Sequence, residues 1–110
     1  MALFNAVVVE AQKLLEYCLS DSHRRGRNKA RVFRSRLGLT AASAELLRNA
    51  LVQAVQDRPE ELRFRVGDQY GRHYMLDFEM TTTTGKAVVR SIWIIRQNEE
   101  VLRFVSCFVR

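Results

Sequence analysis

Two periods divide this chain. As far as residue 58 apolar side chains recur every three or four positions, and from Glu60 onward they alternate. Ala11, Leu14, Leu15 and Cys18, with Tyr17 alongside, predict a first helix over 10–19, and Ala6 to Val9 reads as a short β segment before it. Ser20-Asp21-Ser22 offers turn chemistry and an N-cap for the next element. A second helix is expected from Gly26 or Asn28 to Leu37, with Ala30, Phe33 and Leu37 as its inner stripe and Gly38 as its stop. Thr40 caps a third, whose buried side is Leu46, Leu47, Ala50, Leu51, Ala54 and Val55, and Pro59 ends it.

The second half reads as strands. Leu62, Phe64 and Val66 alternate with Arg63 and Arg65, and Gly67-Asp68 to Gly71 is a turn. Tyr74, Leu76, Phe78 and Met80 then alternate with His73, Met75, Asp77 and Glu79. Asp77 and Glu79 are placed to pair across to Arg63 and Arg65. Thr81 to Gly85 turns into a long strand from Lys86 to Arg96, apolar on both faces and therefore central. Gln97 to Glu100 turns again, and Val101 to Val109 closes the chain. The expected fold is α+β: about three N-terminal helices packed on a four-stranded antiparallel β-meander. It forms a single domain over 1–110, with 1–58 mainly helical and 60–110 the sheet.

Composition narrows the class. An apolar share of 47% and a charged share of 27% suit a folded chain of 110 residues and exclude a disordered tail. No apolar run is long enough to span a bilayer, and Met1 to Val9 lacks the basic start and cleavage pattern of a signal peptide, so a cytoplasmic protein is expected. Cys18 and Cys107 both sit in apolar stretches, which favours buried thiols over a disulfide. With His23 and His73 they lack zinc-ligand spacing, and no phosphate loop or other cofactor motif is present, so neither metal nor cofactor is expected.

Charge changes the picture most. The net charge is +6, from eighteen basic and twelve acidic residues. Seven of the basic residues (Arg24, Arg25, Arg27, Lys29, Arg31, Arg34 and Arg36) fall in one acid-free window, leaving eleven against twelve elsewhere, or −1. One patch therefore carries the whole excess, and such a patch calls for a polyanion, nucleic acid first and anionic lipid second, the bland reading being a solvated basic helix face. Gly26 lets the backbone bend into the helix, and Arg27, Arg31 and Arg34 form a cationic stripe opposite Ala30 and Phe33. Crowded by cations, His23 should stay neutral near neutral pH and be able to accept a proton. On the third strand Ser91 and Trp93 share a face and Arg90 points the other way. A hydroxyl beside an indole suits a phosphate oxygen and a stacked base, so Ser91 ranks above Arg90; the bland reading is a core tryptophan with an incidental serine. Ser106 is either a satisfied core hydroxyl or a site residue presented from the sheet. Tyr70 to Tyr74 makes a polar, aromatic hairpin tip.

The run from His23 to Phe33, His-x-x-Gly-Arg-x-Lys-Ala-Arg-Val-Phe, resembles the hallmark of a small bacterial domain family. Arg90 to Ile95, followed by Ser106 on a final strand, resembles its second signature. The order of helices then meander is similar to the barnase–EndoU–colicin–RelE group of metal-independent ribonuclease toxins, with the tRNA-cleaving domain of colicin D as the nearest analogy. That resemblance implies that His23, Lys29, Ser91 and Trp93 occupy positions that matter.

Together these features lead to an expected metal-independent endoribonuclease toxin acting on RNA, with tRNA as the analogous target. His23 is the candidate base or acid, and Lys29 the residue that stabilises phosphate charge. Ser91, Ser106 or Arg90 bind its free oxygens, Trp93 stacks a base or merely supports Ser91, and Arg25, Arg27 and Arg31 hold the flanking backbone. An acidic antitoxin or immunity protein would cover the patch, and exposed apolar residues such as Met75 permit a homodimer. The alternatives are a nucleic-acid-binding module without catalysis and a protein-interaction or antitoxin-type adaptor.

Overall fold

The structure is a computed structural model that describes residues 3–19 and 27–110, with the backbone alone at Glu16, Tyr17 and Arg27. Among the described residues, strand β1 (Ala6–Val8) leads into helix α1 (Ala11–Lys13), which continues as a π-helical turn over Leu14–Cys18. Helices α2 (Arg27–Leu37) and α3 (Ala44–Asp57) follow, the latter entered through a 3-10 turn at Ala41–Ser43. A second 3-10 turn at Pro59–Glu61 leads to strands β2 (Arg63–Asp68), β3 (Gly71–Thr81), β4 (Lys86–Arg96) and β5 (Val101–Val109). The expected turn and N-cap at Ser20 to Ser22 lie outside the described residues.

The meander expected from the alternation is present as β2 to β5, but the sheet is mixed rather than four antiparallel strands. Its order is β1-β5-β4-β3-β2, and β1 pairs parallel with β5 through Ala6↔Val101 to Val8↔Arg103. Three residues are too few to show an alternation, and the parallel partner lies at the opposite end of the chain.

The core fills the space between the helices and one face of this sheet. Phe33, Leu37, Leu47, Leu51 and Val55 meet Leu76, Val89, Trp93, Ile95, Leu102 and Phe104, all buried. Trp93 packs edge-on to Phe104 with centroids 5.5 Å apart. Gly38 takes φ +69° and ends α2, its N–H donating to Arg34 O at 2.9 Å. Gly71 takes φ +147° at the start of β3, where a Cβ would run into the Ile95 carbonyl.

Three expectations about which side chains face the core need correction. Leu19 N–H donates to Leu14 O at 2.8 Å, an i to i+5 bond that widens the first helix by one residue. That extra residue buries Leu14, Cys18 and Leu19 and leaves Ala11 and Leu15 exposed. Leu46 is 53% exposed because Leu47, Leu51, Ala54 and Val55 already fill the inner stripe of α3. Phe64 and Val66, at 56% and 53% exposed, lie on edge strand β2, which the helices do not cover. The ion pairs differ as well: Asp77 bonds Arg90 and Arg110, and Glu79 faces Lys86, not Arg63 and Arg65.

Candidate functional site

A single inserted residue in β5 decides which side chains can form a site. Trp93 pairs with Phe104 and Ile92 with Ser106, so Val105 is an extra residue in the ladder. Strict alternation from Leu102 and Phe104 would turn Ser106 and Phe108 into the core. The bulge reverses the phase beyond it: Cys107 faces inward and is fully buried, while Ser106 and Phe108 lie half-buried on the outer face. Bulges re-aim side chains in this way without breaking the sheet.

Lys29 meets that outer face around the edge of β5. Strand β1 pairs only with Val101–Arg103, so among the described residues the edge from 104 to 109 has no neighbouring strand. Lys13 Nζ donates to the Phe104 carbonyl there at 3.0 Å. One helix further on, Lys29 Nζ donates to Ser106 Oγ at 3.1 Å and stands 5.6 Å from the Phe108 ring centroid. The ammonium is half-buried, because the neighbouring Ala30 and Phe33 anchor α2 in the core. A positive charge, a hydroxyl and an aromatic ring thus meet at a half-buried rim.

Beneath the rim lie two thiols. Cys107 Sγ donates to Cys18 Sγ at 3.7 Å, both are buried and unlinked, and Cys18 ends the π-helical turn. Hydrogen bonds from the Cys107 thiol and backbone N–H, opposed by burial and aided by the Lys29 charge and the Ser106 hydroxyl, lower the Cys18 pKa from 9.0 to about 7. Burial, with Cys18 beside it, pushes the Cys107 thiol well up.

The remaining predicted site residues separate into two groups. Ser91 is fully buried on the inner face; its Oγ donates to Leu76 O at 2.7 Å and accepts Trp93 Nε1 at 2.8 Å. Trp93 is equally buried. This pair is a satisfied core hydrogen-bond network, so neither a phosphate oxygen nor a base can reach it, and the ranking of Ser91 above Arg90 is corrected. Arg90 lies on the outer face directly across from Phe108 and bonds Asp77 through Nε and Nη2 at 2.8 and 2.9 Å. The paired guanidinium holds the Asp77 carboxyl below its usual range. Arg110 Nη1 reaches the same carboxylate at 3.0 Å. A cleft of about 540 Å³ opens beside them, lined by Arg63, Arg90 and Arg110 and by Glu60, Glu61 and Asp77. Its mixed signs make it a weaker anion site than the Lys29 rim, and it adjoins that rim across the Arg90–Phe108 pair. Arg31 and Arg34 are exposed on α2. His23 and Arg25 lie outside the described residues, as does the Arg27 side chain.

Among the described residues no cluster of His, Cys, Asp and Glu could hold a metal ion. No described helix is long and apolar enough to cross a membrane. Cys18 and Cys107 are the buried, unlinked thiols that the apolar stretches suggest, but their mutual contact and the outward turn of Phe108 escape the sequence, because both depend on pairing and on the bulge in β5.

The class these features define is an α+β domain with its helices on one face of a mixed sheet and a basic rim at an open strand edge. Residues 2–110 match a family described as domain of unknown function (DUF6883), and the chain belongs to that family. No curated protein matches it. Among solved structures, it is similar to a chain of the contact-dependent growth inhibition toxin–immunity protein complex from Klebsiella pneumoniae 342. That likeness has a TM-score of 0.69 at 22% identity and covers 94% of this chain and 99% of the other, so the fold is shared.

Proposed function

We propose that the chain is a metal-independent endoribonuclease toxin whose partner is an acidic antitoxin or immunity protein. The observation that carries this reading is the Lys29–Ser106 contact, an ammonium and a hydroxyl 3.1 Å apart at the half-exposed end of the basic helix. A phosphodiester brought there meets a fixed positive charge and a hydrogen-bond donor. The likeness to a chain from a toxin–immunity complex supports the toxin setting. That complex contains both kinds of protein, and the concentrated positive charge between Arg24 and Arg36 favours the one that meets a polyanion.

In this reaction His23 takes the proton from a ribose 2′-hydroxyl, whose oxygen then bonds to the adjacent phosphorus. Lys29 and Ser106 stabilise the charge that gathers on the non-bridging oxygens. The bond from phosphorus to the 5′-oxygen breaks, that oxygen takes up a proton, and a 2′,3′-cyclic phosphate remains. Arg31, with Arg25 and Arg27, holds the flanking backbone. The role of His23 rests on its place in the sequence motif.

Pure protein incubated with total tRNA in EDTA, beside His23→Ala, tests the reading. Fragments ending in 2′,3′-cyclic phosphate from the wild type alone support it. Intact RNA at high protein concentration sinks it, and retained RNA binding without cleavage assigns a nucleic-acid-binding module in its place.

A further inference from the structure

The bulge at Val105 brings out a second side chain besides Ser106. Phe108 belongs by simple alternation to the core, yet its ring lies half-buried on the outer face, directly across from Arg90 on β4. Lys29 Nζ approaches that ring to 5.6 Å while also holding Ser106 Oγ. On the other side, Arg90 and Arg110 converge on Asp77 in the lining of the mixed-charge cleft. Arg90 commits Nε and Nη2 to Asp77, so hydrogens of its five-donor guanidinium remain for another acceptor. Cation, aromatic ring, cation is the order in which a polynucleotide presents phosphate, base, phosphate.

We infer that Phe108 is a base-stacking residue: the nucleotide next to the scissile phosphate lays its base on the Phe108 ring, and the following phosphate goes to Arg90. This assignment rests on the ribonuclease reading and adds the path of the substrate to it. The RNA strand runs from the Lys29 rim across β5 to β4, over the outer face of the sheet. Because every base has a π-face, stacking there is tolerant of sequence and contributes mainly to binding. Phe108 is thus a binding residue, separable from Lys29 by its kinetic signature.

A mixed-sequence pool of 2′-O-methyl RNA oligonucleotides carrying 2-aminopurine cannot be cleaved by 2′-hydroxyl attack and reports stacking by loss of fluorescence. Wild type and Phe108→Tyr are expected to quench it alike. Phe108→Leu, shown to be folded by circular dichroism, should bind about ten-fold more weakly and lose the quenching. In cleavage of natural RNA the same variant should raise KM by a similar factor with kcat kept. If the wild type cleaves RNA but Phe108→Leu binds, quenches and cleaves like it, stacking is overturned and the ribonuclease reading stands. If the wild type quenches and Phe108→Leu does not, but neither protein cleaves, the ribonuclease reading falls and only base stacking on Phe108 stands. A wild type that neither binds nor quenches overturns the assignment outright.

Discussion

Replacing Ser91 with alanine removes one oxygen from the centre of the sheet and separates two accounts of the same residue. In the folded chain that oxygen accepts Trp93 Nε1 at 2.8 Å and donates to the Leu76 carbonyl at 2.7 Å, with no solvent access at either residue. Ser91→Ala leaves the indole N–H buried with no acceptor, a loss of about 1–3 kcal/mol. The Leu76 carbonyl also loses a bond, worth ~1 kcal/mol at most because it faces the β3–β4 ladder. The expected cost is about 2–3 kcal/mol, or a fall in Tm of roughly 10 °C for a domain of this size. Urea unfolding followed by circular dichroism gives the free energy, since Trp93 fluorescence would itself respond to the substitution. Ser106→Ala, at a half-exposed position, should stay within about 0.5 kcal/mol of wild type. Ser91→Ala protein that still folds should cleave RNA with unchanged kcat, whereas Ser106→Ala should lose rate. A Ser91→Ala variant of wild-type stability with abolished cleavage would refute the assignment of Ser91 to the core.

Further outcomes follow from other parts of the fold. Gly38→Ala places a side chain at φ +69° against Thr84 and should cost about 1–2 kcal/mol by urea midpoint, and a neutral result would contradict the tight end of α2. Because Arg90 and Arg110 hold the folded Asp77 pKa below its ordinary 3.8, Asp77 adds stability at neutral pH. That contribution is lost as pH falls through the carboxylate range toward the lower folded value. Urea midpoints at about pH 6 and about pH 3 should therefore differ less for Asp77→Asn than for wild type. Arg31→Gln should lower the slope of log affinity against log salt for RNA by about one, and an unchanged slope would place Arg31 off the RNA path.

Much of the fold was legible because alternation and helical spacing are local signals. The strands from Gly71 to Val109, the inner stripe of Ala30, Phe33 and Leu37, and the stop at Gly38 all follow from residues close in the chain. What could not be read depends on distant pairing. The three residues of β1 find their partner only when Val101 arrives. The π-helical turn inserts a residue where Ala11 and Leu15 promise a regular face. The candidate site shows the same division. Lys29 stands out by charge and Ser106 by its lone hydroxyl, but their contact spans 77 residues. The Ser91–Trp93 pair has the spacing of a site and the burial of a core, and only the orientation of the sheet decides between them. For Ser106 and Phe108 the deciding fact is the bulge at Val105, which no local alternation announces.

Single-turnover cleavage of RNA in EDTA by wild type and Lys29→Ala is the most direct test that the rim acts on a phosphodiester. Removing the ammonium should slow the chemical step by about 10²–10³-fold, with the RNA still bound and the fold intact. The wild type should leave the 2′-deoxy substrate uncut. Equal rates for the two proteins, or cleavage of the 2′-deoxy substrate, would contradict the claim that Lys29 and Ser106 stabilise a 2′-hydroxyl attack.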